Sequence, residues 1–192
     1  MDITSNQEYS NKKFNNLSID KLDDARFENC DFSNCEFSSA KFYECSFEDC
    51  RFRNCDFSNA ELNQSKLNDC EFENCKLIGI DWKLIRDEMG FEVEFKKCDL
   101  SFGVFENIDL TRVKFLKCKI HEADFSGVKA KGVSFYGSDL HHSRFDKSDL
   151  QNADFQTARN YIFDPSDNKI KGAKFDQPEV LNLLRYFEIE IE

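Results

Sequence analysis

Residues 25–57 read ARFENCDFSNCEFSSAKFYECSFEDCRFRNCDF. Phenylalanine recurs at 27, 32, 37, 42, 47, 52 and 57, and two places before each stands Ala25, Cys30, Cys35, Ala40, Cys45, Cys50 or Cys55. Outward from this stretch the same spacing runs back to Leu17 and forward to Trp82. It resumes at Phe95 and continues to Phe155, with Ala130 the one small residue at a centre. The preceding small position is kept in the second run by residues such as Cys98, Gly103, Val113, Cys118, Ala123 and Ser138. A period of five fits neither a helix at 3.6 nor a strand at 2, so it marks an internal repeat.

If the chain turns a corner after each unit, four units close one square coil of about 20 residues and successive coils pair at the strand spacing of about 4.8 Å. The central side chain and the small one before it then point inward, and the other three face water. One large group per unit fills the axis; two would overpack it. This accounts for 15 of the 21 phenylalanines standing at repeat centres. The expected fold is an all-β solenoid, a quasi-one-dimensional rod on the order of 40 Å long at about 4.8 Å per coil. The units C-x-F-x-x and A-x-L-x-x resemble those of the pentapeptide-repeat family, which implies a right-handed quadrilateral β-helix. The boundaries expected are an N-terminal cap over 1–14, the solenoid over 15–175, and a C-terminal helix and tail over 176–192.

All nine cysteines occupy the small inward position. The spacing of Cys30 and Cys35 is one that zinc sites use, and stacked pairs such as Cys30 over Cys50 approach disulfide reach. Alternation with Ala, Ser and Val at equivalent positions favours a third role, the small buried hydrophobe. Nine is odd, so pairing within one chain is incomplete at best. A thiol-rich interior suits a reducing compartment. The polar start MDITSNQEYSNKK lacks an apolar signal core, and no stretch approaches the ~20 apolar residues of a membrane span. A cytoplasmic location without membrane association is expected.

The net charge of −11 is unevenly spread: residues 1–82 hold 17 acids against nine bases, and residues 95–157 hold nine against ten. Direct nucleic-acid binding is disfavoured, because it needs a basic footprint. With 20 residues per coil, Asp31, Arg51 and Glu71 stack with alternating sign, and Asn34, Asn54 and Asn74 stack near a corner. Glu28, Glu48, Asp49 and Asp69 gather negative charge on one side and are the expected partner-binding face. Lys96, Lys97, Lys114 and Lys117 suggest an opposing basic face. His121 stacks on His141, with His142 and Glu122 adjacent; a solvated ladder suits them better than a metal site, which needs more ligands and an oriented outer shell. No nucleophile–base pair, phosphate-cradling glycine loop or paired carboxylates stand out. No catalysis, cofactor or metal is expected.

Between Trp82 and Phe95 the interval is 13 residues, so KLIRDEMGFEVE (83–94) breaks or bulges the solenoid. Arg86, Asp87, Glu88 and Met89 make it a candidate recognition loop, or a tolerated insertion. At the C-terminus, Asp176 is placed to cap a helix whose first turn holds Pro178 and Glu179. Val180, Leu181, Leu183, Leu184 and Phe187 are too many apolar groups for one stripe. They either cap the last coil or join two rods.

The stretches CKLIGIDW (75–82), FEVEFKKCDLSFGVF (91–105), VKFLKCKI (113–120) and NYIFDPSDNKIKGAKFDQPEVLNLL (160–184) are similar to the quinolone-resistance and microcin-immunity branch of that family. The resemblance implies a non-catalytic homodimer joined through the C-terminal helix, with Pro178, Val180, Leu181, Leu183, Leu184 and Phe187 in the dimer contact. It further implies binding to DNA gyrase or topoisomerase IV as a mimic of duplex DNA, protecting the enzyme from quinolones or a toxin. The alternative is a pentapeptide-repeat scaffold for another protein, with the acidic face serving solubility.

Overall fold

The computed structural model describes residues 3–86, 91–187 and 189. Within them the chain winds into a parallel β-solenoid of about eight coils, followed by a short helix near the C-terminus. Each coil has four faces. The first carries the centres Tyr9, Phe27, Phe47 and Leu67, paired in parallel through Glu8–Ser10, Arg26–Glu28, Ser46–Glu48 and Lys66–Asn68. The second carries Phe14, Phe32, Phe52, Phe72, Phe95 and Phe115 in a six-stranded sheet. The third runs through Phe37, Phe57, Leu77 and Leu100, and the fourth through Leu22, Phe42, Leu62 and Trp82.

The core is a set of aromatic columns. Along a face the rings stack, as Phe27 on Phe47 at 4.9 Å between centroids and Phe105 on Phe125 at 4.6 Å. Between neighbouring faces they meet edge to face, as Phe27 with Phe32 at 5.3 Å and 72°. Both arrangements suit the ring quadrupole. The small inward residue does more than leave room. Cys50 Sγ donates toward the carbonyl oxygens of Phe27 (3.5 Å) and Glu48 (3.2 Å), and Ser143 and Ser148 donate to Ile120 and Phe125 in the same register. A thiol or hydroxyl here is a small group with a donor. All nine cysteines are free and buried.

Most units turn at the second residue after the centre, which takes a left-handed conformation: Asn29, Asn34, Ser39, Glu44, Asp49, Asn54 and Asn59 lie at φ between 48° and 58°. Asn, Asp and Gly tolerate this region, so their frequency there is a backbone requirement. Asn34 accepts from Asn54 (3.3 Å) and donates to Asn15 (3.0 Å), so the amide ladder runs through Asn15, Asn34 and Asn54 rather than on to Asn74.

Two registers differ from the sequence expectation. Ser18 bridges Glu36 and the Ile19 N–H donates to Glu36 O, which places Ile19 over Phe37 and Leu17 over Cys35. Ile19, not Leu17, is the centre, because the first coil is shorter and the next centre, Leu22, follows after three residues. The ladder also begins earlier than the expected boundary at 14. Glu8–Ser10 and Lys13–Asn15 already pair with the second coil, and Tyr9 and Phe14 stack on Phe27 and Phe32. The residues expected as a cap therefore include two strands of the first coil. Across 83–94 the register step grows to 23, pairing Phe72 with Phe95.

After the last coil, Glu179–Phe187 forms a 3-10 helix. Asp176 does not cap it with its side chain. The carboxylate accepts from Thr157 N (2.8 Å) and Glu179 accepts from Asn160 N (3.0 Å), so both tie the segment to the coil above.

Candidate partner-binding surface

Many surface charges pair between coils. Lys76 pairs with Asp56 (3.1 Å), Lys119 with Asp99 (3.0 Å), Arg159 with Asp139 (3.2 Å) and Lys41 with Glu61 (3.3 Å), each bridging neighbouring coils. Exposed pairs of this kind contribute little singly, yet they cancel the local field. The Asp31–Arg51–Glu71 column stacks as expected. The carboxylates of Asp31 and Glu73 are met by Arg53, at 3.6 and 3.7 Å.

Against that background one region stands out. Glu28 lies directly over Glu48 on the first face, with Asn68 next. Asp49 and Asp69 occupy the adjoining left-handed corner. Glu44 stands at the corner across the same face, where its carboxylate pushes the neighbouring Tyr43 phenol up. All five carboxylates are exposed, and among the described residues none of them makes an ion pair. The structure thus brings the four predicted acids together across two adjacent columns and adds Glu44. A surface notch of about 230 Å³ begins beside Asp69, between Glu71, Glu92, Glu94, Arg112 and Lys114.

The expected basic face dissolves. Lys96 contacts both Glu71 (2.9 Å) and Glu94 (2.6 Å), and Lys114 contacts Glu94 (3.1 Å). Between the two ammonium groups the Glu94 carboxyl is held below its usual range, Lys96 contributing most. These lysines share the second face with Asp31 and Glu71. The 23-residue register brings Glu71 beside Glu94, and the regular 20-residue step sets Lys114 on its other side. Lys97 and Lys117 remain as exposed corner residues without an ion pair among the described residues.

Of the candidate loop, Asp87, Glu88 and Met89 lie outside the described residues, while the Arg86 N–H donates to Ser65 O (2.9 Å). The C-terminal helix divides its apolar groups between two jobs. Leu183 is buried and Val180 packs against the core; Leu184 is half-buried; Leu181, Tyr186 and Phe187 are exposed, as is Pro178. His121 and His141 meet edge to face at 5.5 Å, and among the described residues no three His, Cys, Asp or Glu side chains converge as metal ligands.

Residues 25–86 and 91–155 match the pentapeptide repeat region. The chain belongs to the pentapeptide-repeat family. A search of curated protein sequences finds no match. Among solved structures, this pentapeptide-repeat protein is similar to QnrB1, a plasmid-mediated fluoroquinolone resistance protein. A trypsin-treated variant of QnrB1 superposes with a TM-score of 0.57 at 21% identity, covering 98% of this chain and 99% of that one. Full-length QnrB1 gives 0.54 at 21% identity, covering 95% and 100%. At that identity the likeness is one of fold. No helix among the described residues is long and apolar enough to cross a membrane.

Proposed function

We propose that this pentapeptide-repeat protein is a cytoplasmic, non-catalytic homodimer that binds a type II topoisomerase, DNA gyrase or topoisomerase IV, in place of duplex DNA and protects it from quinolones or a gyrase-directed toxin. The observation that carries the reading is the contiguous acidic region of Glu28, Glu44, Glu48, Asp49 and Asp69, unpaired among the described residues on a rod where other charges pair between coils. Similarity to a fluoroquinolone resistance protein over nearly the whole of both chains supports it.

Magnitudes are consistent. Two rods joined end to end reach on the order of 80 Å at about 4.8 Å per coil. A duplex of that length carries about 45 phosphates at one per ~1.7 Å. Two chains of net −11 supply about half that charge density. The exposed Leu181, Tyr186 and Phe187 supply an apolar surface for the junction. The axis is filled with side chains and leaves no room for a substrate.

The direct test is supercoiling by purified gyrase in the presence of a quinolone, with and without this protein. The expected outcome is restored supercoiling at micromolar protein. No effect together with no gyrase binding would favour the scaffold alternative.

A further inference from the structure

Diagonally across the solenoid from Asp49 and Asp69, the corner between the third and fourth faces is built from Ser39, Asn59, Gly79, Phe102, Glu122 and His142, one per coil. Phe102 is out of place there. Its φ is 61°, a conformation that a bulky side chain adopts only under strain. Its side chain is 52% exposed. Of the phenylalanines between Phe14 and Phe175, it alone makes no contact with another ring among the described residues. The fold therefore gains no ring–ring packing from an aromatic group at this position.

The surroundings are specific. All three histidines lie on this edge: the Phe102 N–H donates to His121 O (2.8 Å), His121 meets His141 edge to face, and His141 lies 3.9 Å from His142 between ring centroids. Glu122 follows Phe102 in the same corner column, is exposed, and makes no ion pair among the described residues. The nearby cations are already engaged, Lys119 by Asp99 and Arg159 by Asp139. An open ring face beside an unmatched carboxylate is the arrangement that receives a guanidinium, which stacks on the ring while its N–H groups meet the carboxylate. A nucleobase would stack on the ring too, but its phosphates would meet Glu122 and a chain of net charge −11.

We propose that the Phe102–Glu122 edge is a second docking edge, which takes an arginine-bearing segment of a protein partner. It is separate from the acidic face and does not depend on the topoisomerase reading. The test is NMR on the full-length protein with labelled phenylalanine rings. The probes are a capped Gly-Arg-Gly tripeptide and its citrulline analogue, which keeps the shape and removes the charge. The Phe102 resonance should move with the arginine peptide at a midpoint at least about threefold lower than with the citrulline peptide. Glu122→Gln should bring the two midpoints within about a factor of two. A Phe102 signal that neither peptide moves, or that both move at one midpoint, overturns the proposal. Phe102→Asn, which installs a residue that left-handed corners favour, should melt no lower than the parent. A lower melting point would show that the ring serves the fold, and would overturn the assignment as well.

Discussion

Asn59 folds its carboxamide over Gly79 in the next coil, leaving its Oδ1 2.6 Å from the point where a β-carbon on Gly79 would stand. Asn107 over Gly127 and Asn152 over Gly172 repeat the device. Gly79 also sits at φ 71°, so both the backbone and the neighbour resist a side chain. Gly79→Ala is expected to destabilise by about 1–3 kcal/mol. Adding Asn59→Ser, which shortens the overlying group, should recover part of that loss. Urea unfolding of the single and double variants measures both terms.

Inward thiols should respond to pH in one direction. Burial pushes Cys45 up to about 11 and Cys50 up to about 12. A thiol whose folded value is raised stabilises the fold fully below its unfolded value near 8.5. That contribution is lost as pH climbs toward the folded value, because the unfolded chain then binds fewer protons. Stability should therefore be flat up to about pH 8 and fall above about pH 9, by about 1.4 kcal/mol per pH unit for each such thiol. Iodoacetamide should label no cysteine in the native protein at pH 8. Rapid native labelling of Cys50 would contradict its burial. By comparison, Phe47→Ala should cost about 3–5 kcal/mol through the cavity it leaves.

The terminal helix allows fold and association to be separated by single substitutions. Leu181 is exposed whereas Leu183 is 4% exposed against the last coil. If the helix joins two rods, Leu181→Asp should give a folded monomer, since an apolar junction would have to bury an unpaired carboxylate. Association should weaken by at least about 100-fold, or about 2.7 kcal/mol. Leu183→Asp should instead lower the melting temperature. Sedimentation showing the parent to be monomeric at high concentration would remove the premise.

Charge reversal tests the acidic face. Glu28→Lys, Glu48→Lys and Asp69→Lys together should abolish binding to purified gyrase. Each should change stability by less than about 1 kcal/mol, because these groups are exposed and unpaired. The matched control is Lys97→Glu with Lys117→Glu, two exposed corner cations that also lack ion partners, rather than Lys96 or Lys114, whose reversal would break contacts to Glu71 and Glu94. Binding by the parent should weaken as salt shortens the screening length below about 8 Å, and duplex DNA should compete. Gyrase binding by the triple variant equal to that of the parent would dismiss this face as the mimic.

What the sequence determined by itself was the solenoid. A large residue every fifth position with a small one two places earlier can be buried only by a chain that turns once per unit, and that holds whatever the remaining residues are. The nine cysteines as inward groups follow from the same pattern, as does the accumulation of acids in the first half. Only the tertiary structure decided which charges remain free. Ion pairing depends on which coil lies over which, and the register moves from 18 at Phe14 and Phe32, to 20 at Phe52 and Phe72, to 23 at Phe72 and Phe95. Glu94 meets Lys96 along its own strand and Lys114 one regular 20-residue step on, and the 23-residue step adds Glu71 beside Lys96; together these contacts erased the basic face. The corners were legible at the stacked asparagines, but the outlier Phe102 was hidden, since composition records a residue's type and not its φ. The division of the terminal helix between Leu183 inward and Leu181 outward required the docked coil, because a lone apolar helix has no inside.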